Sequence, residues 1–91
     1  MSVFDYFIQT SGSRICPVGN ILPREAADPA RLARALEKMA LARSGIIPKR
    51  LPIRVVSVSN GGYRVVDGNT TYHALVALGE TNGLVEMVED R

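Results

Sequence analysis

Residues 63–79 read YRVVDGNTTYHALVALG, and the residues best suited to chemistry sit at its centre. Asp67 and Gly68 break a strand-like run, and a helix-like run begins among Asn69, Thr70 and Thr71. Gly68 can take a positive φ and has no Cβ to obstruct a close approach. Asn69 or Thr70 can cap the new helix through its side-chain oxygen. The free N–H groups of the first turn then point outward, with the positive end of the helix dipole behind them. Two threonine hydroxyls add donors, and together these groups can hold a phosphate. Arg64, on the strand entering the junction, can fold back to add positive charge. Asp67 and His73 are the local acid–base candidates. Asp67 can also orient the loop or ligate Mg²⁺ beside a nucleotide. The plain alternative is a turn and a cap, since Asp-Gly is ordinary turn chemistry.

The junction needs a strand before it and a helix after it. Residues 53–58 (IRVVSV) and 63–66 (YRVV) are β-branched and flank Asn60-Gly61-Gly62, which predicts an antiparallel hairpin. The second helix is expected to run from just after Asn69 to before Gly79, and 84–88 (LVEMV) to form a last strand. Upstream, 29–44 is the clearest helix. Asp28 is placed as N-cap, Pro29 at the first helical position and Gly45 just past the end. Leu32, Leu36 and Met39 share one face, with Ala35 and Ala40 beside them. Arg31, Arg34 and Lys38 recur on another face, either as a solvated stripe or as a ridge facing nucleic-acid phosphates. Residues 3–9 (VFDYFIQ) have strand composition, and 14–22 (RICPVGNIL) predict a short interrupted strand with Pro17 near an edge. The order β–β–α–β–β–α–β predicts an α+β (mixed α/β) domain, a small mixed sheet with flanking helices, over residues 1–91.

Hydrophobic residues make up 46% of the 91 residues and charged ones 22%, which excludes a disordered chain. No apolar run approaches the roughly 20 residues a membrane span needs. The N-terminus has no basic region followed by a long apolar run, so a cytoplasmic chain without membrane contact is expected. Single Cys16 allows no internal disulfide, and one His with one Cys gives no metal site. Net charge is +2, but residues 14–64 hold ten basic residues against three acids, and residues 65–91 hold five acids against Arg91. A basic half of this kind suits a polyanion, unless the fold mixes the charges again.

The stretch GGYRVVDGNTTYHALVALG resembles the signature region of the ParB/sulfiredoxin superfamily, where a strand ends in a Gly-containing turn and a short motif such as DGxHR opens a helix. Residues 15–23 (ICPVGNILP), 30–47 and 52–55 (PIRV) resemble that family's preceding elements in order. The resemblance implies a small mixed sheet flanked by helices, and CTP or ATP held with Mg²⁺ near this helix N-terminus. Members also include DNA-binding proteins, nucleases, ATPases and enzymes that phosphorylate small substrates, in bacteria and on plasmids or mobile elements. The chain diverges where the family's His-Arg pair would fall, at Thr70-Thr71, and where sulfiredoxin's Cys would fall, at Asn69. Sulfiredoxin chemistry is therefore not expected. A ParB centromere clamp is not expected either, because 91 residues leave no room for its further domains.

Three functions fit. The first is a stand-alone ParB-like domain, regulatory in role, that binds nucleotide or nucleic acid through Arg64, Gly68, Asn69, Thr70 and Thr71, with Arg31, Arg34 and Lys38 toward nucleic acid. The second is a nuclease or nucleotide hydrolase using Asp67 and His73. The third is a non-catalytic interaction module with a protein partner or a homodimer, using the acidic tail and an exposed edge at 3–9. The phosphate-ready junction favours the first.

Overall fold

A computed structural model describes residues 3–59 and 61–88. Asn60 of the expected Asn60-Gly61-Gly62 turn and residues 89–91 of the acidic tail lie outside the described residues.

The helix predicted from its caps is present as α1, Pro29–Arg43. Asp28 Oδ1 accepts the Ala30 N–H at 3.0 Å, Pro29 opens the first turn, and Ser44 N donates back to the Ala40 carbonyl at 3.1 Å. Ala35, Met39 and Ala42 are buried, Leu32 and Leu36 are half-buried, and Ala40, expected beside them, is exposed.

Five strands form one mixed sheet. They are β1 (Ser13–Pro17), β2 (Ile21–Leu22), β3 (Ile53–Ser57), β4 (Tyr63–Asp67) and β5 (Asn82–Met87), in the spatial order β1-β5-β3-β4-β2. The expected hairpin is there: Ser57 opposes Tyr63, Val56 opposes Arg64 and Val55 opposes Val65. The register then shifts so that Arg54 faces Asp67. Pro17 ends the edge strand β1, where a missing N–H breaks no inner ladder. Helix α2 (Asn69–Ala77) leaves β4, and β5 returns beyond β3 and parallel to it. That crossover carries α2 past the start of β3. Ile53, Val55, Val65, Leu84 and Val85 of the sheet join Ala74 and Leu75 of α2 and Met39 of α1 in one buried cluster. Arg54 stands across from Asp67 on one side and Glu86 on the other, so the sheet interleaves the basic and acidic halves of the chain.

The strand expected over residues 3–9 does not form. Val3–Asp5 is a 3-10 turn, and Phe7 makes an isolated parallel bridge to Arg50. Val3, Tyr6 and Phe7 are buried in the core cluster, so the aromatic side chains are used as packing and the exposed edge expected for self-pairing is absent. No helix among the described residues is long and apolar enough to cross a membrane.

Cys16 is buried at 3% exposure, and burial pushes its thiol pKa up from the ordinary value. A protonated, inaccessible thiol reacts slowly. An aromatic disulfide reagent at pH 8 should therefore label Cys16 about tenfold or more slowly in the native protein than in denaturant. Equal rates would mean that β1 opens readily.

Candidate functional site

Strand β4 ends at Asp67, and the chain reverses through Gly68 at φ 100° and ψ 23°. A Cβ at Gly68 would lie 3.3 Å from Ile53 Cα, so the turn sits directly against the start of β3. Gly68 is itself the N-cap of α2, and Asn69 is the first helical residue. The cap expected from Asn69 or Thr70 is not made, because no side chain caps the helix. The first intrahelical bond runs from Tyr72 N to Gly68 O at 3.0 Å. The N–H groups of Asn69, Thr70 and Thr71 therefore precede the helical ladder.

The Asn69 side chain turns to other work. Its Oδ1 accepts from Arg24 N at 2.8 Å and Glu25 N at 3.2 Å, while its Nδ2 donates to Glu25 O at 3.1 Å. His73 Nε2 lies 2.8 Å from the same Glu25 carbonyl, and its ring meets Tyr72 edge to face at 5.1 Å.

Arg50 reaches the junction from the loop before β3. Its backbone is fixed at both ends, donating to Tyr6 O at 2.8 Å and accepting from Ile8 N at 2.8 Å. Its Nη1 donates to Thr71 Oγ1 at 3.3 Å, and Thr71 is buried. The Nε is buried without a hydrogen-bond partner. No acid among the described residues pairs with this guanidinium within 4.0 Å. Burial lowers the Arg50 pKa from its ordinary value, because removing water disfavours the charged form. A half-buried positive charge whose hydrogen-bond partner is a neutral hydroxyl carries a desolvation cost that its partner does not offset.

These groups line an open cleft of ≈ 220 Å³. Its walls carry the guanidinium-bearing Arg24, Arg31 and Arg50, the carboxylates Glu25 and Asp67, and the start of α2 from Gly68 to Thr71. Of the residues expected from sequence, Asp67, Gly68, Asn69, Thr70 and Thr71 meet here, and Arg31 joins them from the first turn of α1 while lying 3.8 Å from Asp28. Arg64 does not: it is exposed on β4 opposite Val56, outside the cleft lining. Arg34 and Lys38 are exposed on α1, also outside it. Arg24, Glu25 and Arg50 were missed. The sequence shows them only as members of a basic segment, since their approach to 67–71 depends on contacts 21 to 45 residues apart. No group of three or more His, Cys, Asp or Glu among the described residues could hold a metal ion.

No protein-family model matches the chain, and no curated protein sequence does. Solved structures do. SbnI with a C-terminal truncation, from Staphylococcus aureus, superposes with a TM-score of 0.73 at 29% identity, over 87% of this chain and 31% of that one. A free serine kinase in complex with AMP gives 0.71 at 21% identity, over 93% of this chain and 34% of that one. The C-terminally truncated chromosome-partitioning protein ParB from Caulobacter crescentus, complexed with CTP-gamma-S, gives 0.66 at 20% identity, over 89% and 46%. The chain thus spans about a third of the length of the first two and under half of the third.

Proposed function

Because this chain has a ParB/sulfiredoxin-like fold, we propose that it binds a nucleotide, with the phosphates at the N-terminus of α2. One observation carries the reading: Arg50 brings a half-buried, acid-free guanidinium to the place where the expected His-Arg pair is replaced by Thr70-Thr71. The phosphate would take the Thr70 and Thr71 N–H groups, the threonine hydroxyls and Arg50, with Arg24 and Arg31 on the outer wall. Asp67 and Glu25 line the same cleft, and theirs are the carboxylates that would meet Mg²⁺ carried in on the phosphates. Neighbouring structures hold AMP, ADP and CTP-gamma-S, in support of a nucleotide and without selecting the base.

An amide-resolved NMR titration with CTP and ATP, with and without Mg²⁺, tests this. Saturable shifts centred on Gly68 to Thr71, with movement of the Arg50 side-chain resonances, are expected. Unchanged spectra at millimolar nucleotide overturn it.

Glu25 favours one second reading, transfer of the terminal phosphoryl group to a small hydroxyl compound. Its carboxylate lines the same cleft and could take the hydroxyl proton as the new O–P bond forms and the nucleotide leaves. The likeness to a free serine kinase makes serine the first acceptor to try. In this reading Glu25→Gln keeps nucleotide affinity and loses about 100-fold or more in transfer rate. Absence of any phosphorylated acceptor with the native chain overturns it.

A further inference from the structure

Residues 23–28 link β2 to α1 without regular secondary structure, and their side chains are exposed apart from half-buried Ala27. Apolar burial therefore does little to hold this segment, yet it forms a wall of the cleft through Arg24 and Glu25. We propose that Asn69 and His73 are positioning residues that strap this segment across the start of α2 and fix the cleft wall in place. The proposal rests on the nucleotide-binding reading.

The contacts are main-chain on one side throughout. Asn69 Oδ1 accepts the N–H groups of Arg24 and Glu25, at 2.8 and 3.2 Å, and Asn69 Nδ2 donates to the Glu25 carbonyl at 3.1 Å. One primary amide thus bonds three backbone groups of two adjacent residues. That leaves the Arg24 and Glu25 side chains free to line the cleft. His73 Nε2 adds a fourth bond, 2.8 Å from the same carbonyl. A carbonyl oxygen only accepts, so Nε2 carries the proton. This nitrogen is therefore a donor in the arrangement seen, and its bond to the Glu25 carbonyl is the structural role proposed for His73. Asn69 likewise acts behind the phosphate site, since its side chain is spent on the strap. An Asp at position 69 would accept the same two N–H groups, but it would lose the bond to the Glu25 carbonyl and set a negative charge beside the phosphate site.

The test reads backbone amide exchange and nucleotide affinity on the 91-residue chain. In the native protein the Arg24 and Glu25 amides should be protected. Asn69→Ala should speed their exchange about tenfold and weaken binding of ATP or CTP about tenfold, with the exchange of the β3 amides unchanged. His73→Phe should produce a smaller loss of the same kind. His73→Gln, whose side-chain N–H can reach the same carbonyl, should restore native exchange and affinity, which a bulk-packing role for the ring would not allow. Native Arg24 and Glu25 exchange in Asn69→Ala, or affinity unchanged while that exchange rises, overturns the proposal. Should Asn69→Ala fail to fold, the His73 pair decides. If the native chain binds neither nucleotide, the binding reading falls, and exchange alone still decides whether the strap exists.

Discussion

Gly68→Val is expected to lower the stability of the fold by about 3 kcal/mol and to remove nucleotide binding. Two independent terms act together. At φ 100° a residue with a Cβ is strained, by roughly 1–2 kcal/mol, and a β-branched residue is the worst case. The added Cβ would also sit 3.3 Å from Ile53 Cα, a backbone atom that cannot swing aside, and 3.4 Å from Ile53 Cγ2. Ile53 is 1% exposed and begins the central strand β3, so relief would have to come from moving α2. Moving α2 swings the N–H groups of Asn69, Thr70 and Thr71 away from the cleft. Urea denaturation followed by circular dichroism measures the loss of stability, and a nucleotide titration on the remaining folded protein measures the loss of binding. Gly68→Ala keeps the φ strain and the same Cβ contact but lacks the two γ-methyls, and should lose less, about 2 kcal/mol. Native stability in the valine variant would mean that the turn adopts another conformation in solution.

Arg50→Ala is expected to weaken nucleotide binding by about 10–100-fold while changing stability little. Affinity falls because Arg50 is half-buried where the other charged residues of the cleft lining are exposed, and it bonds the helix through Thr71. Stability holds because the contacts that fix the local chain, Arg50 N to Tyr6 O and Ile8 N to Arg50 O, are backbone bonds that alanine keeps. Removing a half-buried cation with an unbonded Nε also relieves a desolvation cost, offsetting the lost contact to Thr71 Oγ1. Arg50→Lys keeps a charge but not the planar fork, and should recover only part of the affinity. Lys38→Ala, an exposed residue outside the cleft, should bind nucleotide as the native chain does. Isothermal titration of the three variants at one salt concentration gives the comparison. Equal affinities for Arg50→Ala and the native protein would remove Arg50 from the site.

The elements legible in the sequence are those whose cause is local. Asp28-Pro29, followed by good helix formers and closed near Gly45, specifies α1 because capping and φ preference act within a few residues. The β3–β4 hairpin follows from two β-branched runs around a glycine turn. Gly68 was legible as the hinge for the same reason, since Asp-Gly between a strand and a helix asks for a positive φ. Together these determined an α+β chain with a strand, a turn and a helix N-terminus at 63–72.

Only the tertiary structure decided what stands around that turn. VFDYFIQ has strand composition, but whether aromatic residues form a ladder or fill a core depends on what packs against them, and here the core takes Val3, Tyr6 and Phe7. Asn69 looks like a cap or a phosphate ligand until the Arg24–Glu25 backbone, 44 to 45 residues away, takes up its amide. Arg50 looks like one basic residue among ten until it meets Thr71 21 residues on, while Arg64, nearer in sequence, is carried away on β4. Chain-local physics sets φ, caps and periodicity. Which charges converge on a helix N-terminus is set by strand order and crossover, and no short stretch of sequence encodes those.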